Sequence, residues 1–155
     1  MKNLAKFLLI VLALLTAAAV FSSCNKDSTD DSDPAVSEVK KLLEAYYTDI
    51  NDKDFDNIGQ YFGSGVTDVQ ERIDSFKFMS TIFEVKYELG DVIALYLEDG
   101  NISASAVTKI TSKNISTDTT TVVSEHSTYI IGKENDKMVI ISMDIGDSQV
   151  VDSAN

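Results

Sequence analysis

The chain has one cysteine, one histidine and one proline, and too few bases to balance its acids. Each shortage removes a class of function. A single cysteine forms no internal disulfide, so the fold has to be held by burial. One cysteine and one histidine leave no four-ligand zinc or iron site, and no metal or other cofactor is expected. The seven glycines do not gather into a phosphate-cradling loop. Gly63-Ser64-Gly65 is a cluster, but it lacks the strand-turn-helix setting of a nucleophile elbow. Lys and Arg number 13 against 25 Asp and Glu, a net charge of −12, and loss of Lys2 and Lys6 with a cleaved leader would make it −14. Such a field repels nucleic-acid phosphates and anionic lipid surfaces, which excludes nucleic acid as a partner. Solubility outside the cell accounts for the charge.

What is present begins with an apolar run. Lys2 and Lys6 flank the start of residues 7–20, FLLIVLALLTAAAV. As a helix this run spans about 21 Å, short of the roughly 30 Å of bilayer hydrocarbon, so it reads as a signal peptide rather than a membrane span. Ala17-x-Ala19 would suit ordinary cleavage and simple secretion. Phe21-Ser22-Ser23-Cys24, however, resembles a bacterial lipobox, as in many Bacteroidetes-type lipoproteins. That resemblance implies that Cys24 is lipidated on its thiol and becomes the new N-terminus. It also places the protein in the bacterial cell envelope, anchored to the outer membrane or displayed at the cell surface. Several acyl chains, at about 0.8 kcal/mol for each buried CH₂, would give durable anchoring. Residues 24–33 hold four aspartates and, after Cys24, no apolar side chain, so they read as a flexible tether reaching roughly 15–18 Å. Asp30-Asp31 weakly resembles the surface-export signal that follows the cysteine in such lipoproteins.

One domain is expected over residues 34–147 and a disordered polar tail over 148–155. A chain with about 130 residues left after its leader can bury roughly two-thirds of its unfolded surface. Asp33-Pro34 sets an N-cap and a first-turn proline. Val36, Val39, Leu43, Tyr46 or Tyr47, and Ile50 then follow at helical spacing until Asp52-Lys53-Asp54 breaks the helix. Phe55, Ile58, Tyr61 and Phe62 predict a short second helix. Thr67-Asp68-Val69-Gln70 has the form of a capping box for a third, carrying Val69, Ile73 and Phe76. The period then changes from helical to alternating. Phe83, Val85, Tyr87 and Leu89 predict a half-buried strand with a bulge at Gly90, and Asp99-Gly100-Asn101 a hairpin turn. Ile102, Ala104, Ala106, Thr108 and Ile110 share one face of the next strand. Residues 119–131 and 138–145 predict two more. The class is α+β: three N-terminal helices packed on a curved four-stranded antiparallel sheet.

Leu43-Glu44-Ala45-Tyr46-Tyr47, Asp54-Phe55-Asp56-Asn57-Ile58 and Tyr61-Phe62 resemble the first helix, break and second helix of the NTF2-like (cystatin-like, cone-shaped) superfamily, particularly its bacterial lipoproteins of unknown function. The element order agrees across residues 35–146. The resemblance implies a cone whose open end often holds a pocket. Its members span isomerases, cyclases, transport factors and binding modules, so the fold alone selects no function.

Candidate chemistry is sparse. His126 lies in a strand with Val122, Ser124, Thr128 and Ile130 on its face, and a lone strand histidine is more often a satisfied polar residue than an acid or base. Asp144 is placed outward by parity, since Val139, Ile141, Met143 and Ile145 form the apolar face. Tyr46 and Tyr47 read as core residues first. Asp52-x-Asp54-x-Asp56 lacks the glycine and glutamate of a calcium loop, and Asp54 reads as a helix cap. Asp27-Ser28-Thr29, Asp118-Thr119-Thr120 and Asp152-Ser153-Ala154 resemble short O-glycosylation sequons.

Two functions of different class follow. The first is a non-catalytic, lipid-anchored binding domain for an unknown small molecule or protein, held at a membrane through its N-terminal lipid. The second is an isomerase or cyclase of NTF2-like type that brings Tyr46 or Tyr47, His126 and Asp144 into one pocket. A homodimer through the exposed sheet face is compatible with either.

Overall fold

The computed structural model describes residues 33–154; the leader, Cys24, the tether before Asp33 and the sequon at Asp27 lie outside the described residues. The first helix, α1, runs Pro34–Asn51. Asp33 caps it, its Oδ1 accepting from the Ala35 N–H at 2.8 Å, and Pro34 needs no hydrogen-bond partner in the first turn. The apolar stripe read from the sequence is the buried face, widened by Ala35 and Leu42. Val39 and Leu43 are fully buried and contribute about 1.5–3 kcal/mol each. The chain leaves the helix through Lys53, at φ 61°.

A 3-10 helix over Phe55–Tyr61 follows. Asp54 stands at its N-cap, but the expected side-chain cap is not made; Asp54 Oδ2 accepts from Asn57 Nδ2 at 2.8 Å instead. The capping box fails as well. Helix α2 spans Val69–Ile82 with Asp68 at its N-cap, one residue later than expected, and that cap also makes no side-chain bond. The Asp68 carboxylate is taken by Arg72 one turn on, at 2.7 and 2.8 Å. Gln70 turns to Asp74. A charge-assisted bond of this kind is stronger than a neutral cap and wins the competition. Of α2 only Ile73 is fully buried, and Phe78 stays 63% exposed.

Four antiparallel strands follow, β1 Phe83–Tyr96, β2 Ile102–Asn114, β3 Thr120–Glu134 and β4 Lys137–Ala154, hydrogen-bonded in that order. The β1–β2 register shifts between Leu89 and Val92, the bulge expected at Gly90. Gly100 closes the first hairpin at φ 84°. Asn135 and Asp136, both at positive φ, close the β3–β4 hairpin between Glu134 and Lys137, the conformation that a two-residue primed turn requires.

Directly paired residues of an antiparallel sheet point to the same face, so the register sorts the side chains into rows. The inner face, toward the helices, carries Ala94–Ala104–Tyr129–Met143, then Val92–Ala106–Ser127–Ile145, then Leu89–Thr108–Glu125–Ser148, then Tyr87–Ile110–Val123–Val150. The first two rows are small on β1 and β2, which lets α1 lie close: Tyr47 reaches Thr108 and Tyr129, and Asn51 bonds both backbone polar groups of Tyr87.

Two expectations for β4 are corrected. A register shift between Ile130 and Ile131 puts Ile140, rather than Ile141, fully into the core and leaves Ile141 41% exposed, while beyond it Met143 and Ile145 face inward and Asp144 outward as the alternation predicts. The extra residue at Ile141 changes the parity of the side chains before it relative to those after it. The segment from 148 is not a disordered tail: Gln149 pairs with Ser124, Val150 with Val123 and Asp152 with Val122. Its polar composition hides the strand, because much of this segment is open to solvent on both sides.

Candidate ligand-binding face of the sheet

At the centre of the inner face the hydroxyls of Tyr47 and Tyr129 lie 2.9 Å apart, and Thr108 Oγ1 donates to Tyr47 at 3.2 Å. Two residues from Tyr129 on the same strand face, Ser127 Oγ donates to a carboxylate oxygen of Glu125 at 3.3 Å. These groups form a polar seam inside an apolar core, flanked by the Tyr46 ring edge-on to Tyr61 and Phe62 at 5.7 Å. Burial pushes the phenols of Tyr46, Tyr47 and Tyr129 up from their ordinary value, so all three are neutral donors at physiological pH. No buried side-chain polar atom among the described residues lacks a partner.

The seam is closed to ligands. Thr108 and Ser127 are 0% exposed, Tyr46 and Tyr129 1% and Tyr47 4%. Tyr46 and Tyr47 are therefore core residues, the first reading of them. The constellation imagined for catalysis does not assemble. His126 pairs with Val107 on the outer face, exposed, and its ring nitrogen bonds Ser105; Asp144 pairs with Thr128 on that same outer face, also exposed. Neither meets the tyrosines, which lie beneath the other side of the sheet. Among the described residues no three His, Cys, Asp or Glu side chains converge as metal ligands.

The residue that the sequence reading missed is Glu125. It sits half-buried on the inner face, opposite Thr108, at the boundary between closed and open rows. On one side lies the sealed seam. On the other lie Tyr87, Ile110 and Val123, all half-buried, with Val150 67% exposed. The α2 helix packs along β1 and the 3-10 helix, with Phe76 against Tyr87, and Val150 at the far end of this row stays exposed. The helix edge forms a shallow open cleft, with Lys53, Phe55, Phe76, Met79, Val85 and Tyr87 in its walls. Tyr87 joins the cleft to the open rows. Its ring stacks on Tyr47 at 5.5 Å and takes Phe76 edge-on at 6.2 Å. Burial, and then the charge of Glu125, push its phenol up to about 12. Counting back by twos from Ile131 through Tyr129 and Ser127 would have found Glu125 in the sequence.

No protein-family model and no curated protein matches the sequence. Solved structures do. A scytalone dehydratase-like protein from Novosphingobium aromaticivorans superposes with a TM-score of 0.63 at 6% identity, covering 73% of this chain and 85% of its own. The beta subunit of the benzoate 1,2-dioxygenase from Burkholderia mallei gives 0.58 at 12% identity, covering 77% and 91%. An uncharacterized protein with a cystatin-like fold from Caulobacter vibrioides gives 0.58 at 16%, covering 76% and 90%. At such identities the likeness is one of fold. Three helices, a four-stranded antiparallel sheet in sequential order and these neighbours together give the chain the α+β fold of the NTF2-like, or cystatin-like, superfamily.

Proposed function

We propose that this chain is a lipid-anchored domain of the cell envelope that binds a small organic molecule on the open part of its inner sheet face, without transforming it. One observation carries the reading: Glu125, a half-buried carboxylate, stands beside the half-buried apolar row of Tyr87, Ile110 and Val123, while the hydroxyls that could steer a reaction are sealed behind it. A ligand on Tyr87, Ile110 and Val123 meets apolar surface and one charge, the usual make-up of a small-molecule site. The other titratable group beside it is the Tyr87 phenol, which, pushed up to about 12, is a weak proton donor near neutral pH. The lipobox-like Phe21-Ser22-Ser23-Cys24 supports the anchoring half of the proposal.

A second reading has its own support. Thr108, Tyr47 and Tyr129 form a hydroxyl chain that ends near Ser127 and Glu125, and one structural neighbour is scytalone dehydratase-like. If α2 moved away, an isomerase or cyclase could use Glu125 as its base and a tyrosine as donor. Self-association through the outer face, where Ile93, Leu95, Val107 and Ile141 are exposed, would fit either reading and is decided by sedimentation of the full chain.

The test is a small-molecule screen on the full-length chain in detergent micelles, read through amide shifts. Hits are expected to move the amides of Tyr87, Ile110 and Val123 and to be recovered chemically unchanged. Hits confined to other surfaces would refute the binding proposal. Conversion of a hit to an isomer or cyclised product, abolished in Tyr47→Phe, would replace it with the second reading.

A further inference from the structure

We propose that the molecule held on this face is an organic ammonium ion, with its charge at Glu125 and its apolar body on Tyr87, Ile110 and Val123. The inference rests on the binding reading above and adds the ligand's chemical class. The first argument is a missing counter-charge. Glu125 takes part in none of the ion pairs formed among the described residues, and its carboxylate accepts only the Ser127 hydroxyl, at 3.3 Å. Arg72, the cation that α2 directs toward β4, where it touches Met143, is already held by Asp68. Lys109 and Lys113 alternate with the inner-face residues of β2 and so point outward, where they pair with Glu88 and Asp118. A half-buried carboxylate without a cation is a partner that a ligand bringing one can pair with.

The second argument is the wall beside it. Tyr87 stands one row from Glu125 on the same face, and its ring, packed against Tyr47 and Phe76, continues into the stacked Phe76 and Phe55 pair. The apolar body of an ammonium ligand can lie along this aromatic edge while its charge pairs with the carboxylate. The third is long-range. A chain of net charge −12 draws cations toward it and repels anions before contact. An anionic ligand would have to overcome both that field and Glu125 itself.

Three probes with one phenylethyl body separate the possibilities: 2-phenylethylammonium, 2-phenylethanol and phenylacetate. Each is titrated into the full-length chain in micelles of a neutral detergent, and the amide shifts of Tyr87, Ile110 and Val123 are followed. The ammonium should bind about tenfold more tightly than the alcohol, and phenylacetate most weakly. Glu125→Gln should remove the ammonium's advantage over the alcohol, so that the two bind with similar affinity. Glu125→Asp, which keeps the charge, should retain most of the advantage. Alcohol binding equal to or tighter than ammonium binding in the natural chain would overturn the inference and leave the binding reading intact. So would an advantage that survives Glu125→Gln. If none of the three moves these amides, both the inference and the binding reading fall.

Discussion

The hydroxyl of Tyr47, on α1, meets that of Tyr129, on β3, at 2.9 Å inside the core, and Thr108 completes the contact from β2. Helix and sheet are thus registered by a polar contact at the point where neither has solvent to fall back on. Tyr129→Phe leaves Tyr47 bonded to Thr108 and should cost about 1 kcal/mol. Tyr47→Phe removes both of its contacts at once and should cost more, about 1–3 kcal/mol. Urea unfolding of the two single variants and the double variant measures the coupling; additive losses would show that the contact is incidental.

The same burial makes the fold sensitive to alkali. Tyr46, Tyr47 and Tyr129 titrate above their ordinary value of 10.0 when folded, burial being the largest cause in each. The folded chain therefore keeps phenolic protons that the unfolded chain releases, and the unfolded state binds fewer. Stability from these groups is complete below about pH 10 and is lost as pH climbs through the folded values, by up to about 1.4 kcal/mol per pH unit for each tyrosine. Stability measured between pH 9 and 11 should fall, and Tyr129→Phe should make the decline shallower by about one proton. An unchanged slope in that variant would contradict the account.

His126 and Asp144, the polar residues that stood out in the sequence, should matter little. Both are exposed on the outer face. His126→Ala and Asp144→Ala are each expected to change stability by less than about 0.5 kcal/mol. Neither should shift the affinity of a molecule bound on the inner face, which the same titrations would reveal.

At the other end of the chain, Cys24→Ala should abolish incorporation of labelled acyl groups and release the protein from the membrane fraction. Labelling that persists in the variant would show that the cysteine is not the attachment point.

Much of the fold was legible in the sequence because its signals are local. Asp33-Pro34 fixed the start of α1, and the stripe from Val36 to Ile50 fixed its buried face. The alternation from Ile102 to Thr108 fixed β2. What escaped depends on distant partners. Arg72 took the Asp68 carboxylate that a capping reading reserves for the helix. One extra residue at Ile141 put Ile140 inward in its place, while Met143 and Ile145 kept the inward side that alternation predicts. Glu125 was hidden between Ser124 and His126, in a polar stretch with no apolar marker of its own; only its even spacing from Tyr129 and Ile131 reveals where it points.

The most direct test of the account is which methyl groups a bound molecule touches. Intermolecular nuclear Overhauser effects from 2-phenylethylammonium on the full-length chain should reach the methyls of Ile110, Val123 and Val150 on the inner face. Contacts to Ile93, Val107 or Ile141 on the outer face instead, or no contacts at saturating probe, would contradict the central claim that the inner face beside Glu125 is the binding site.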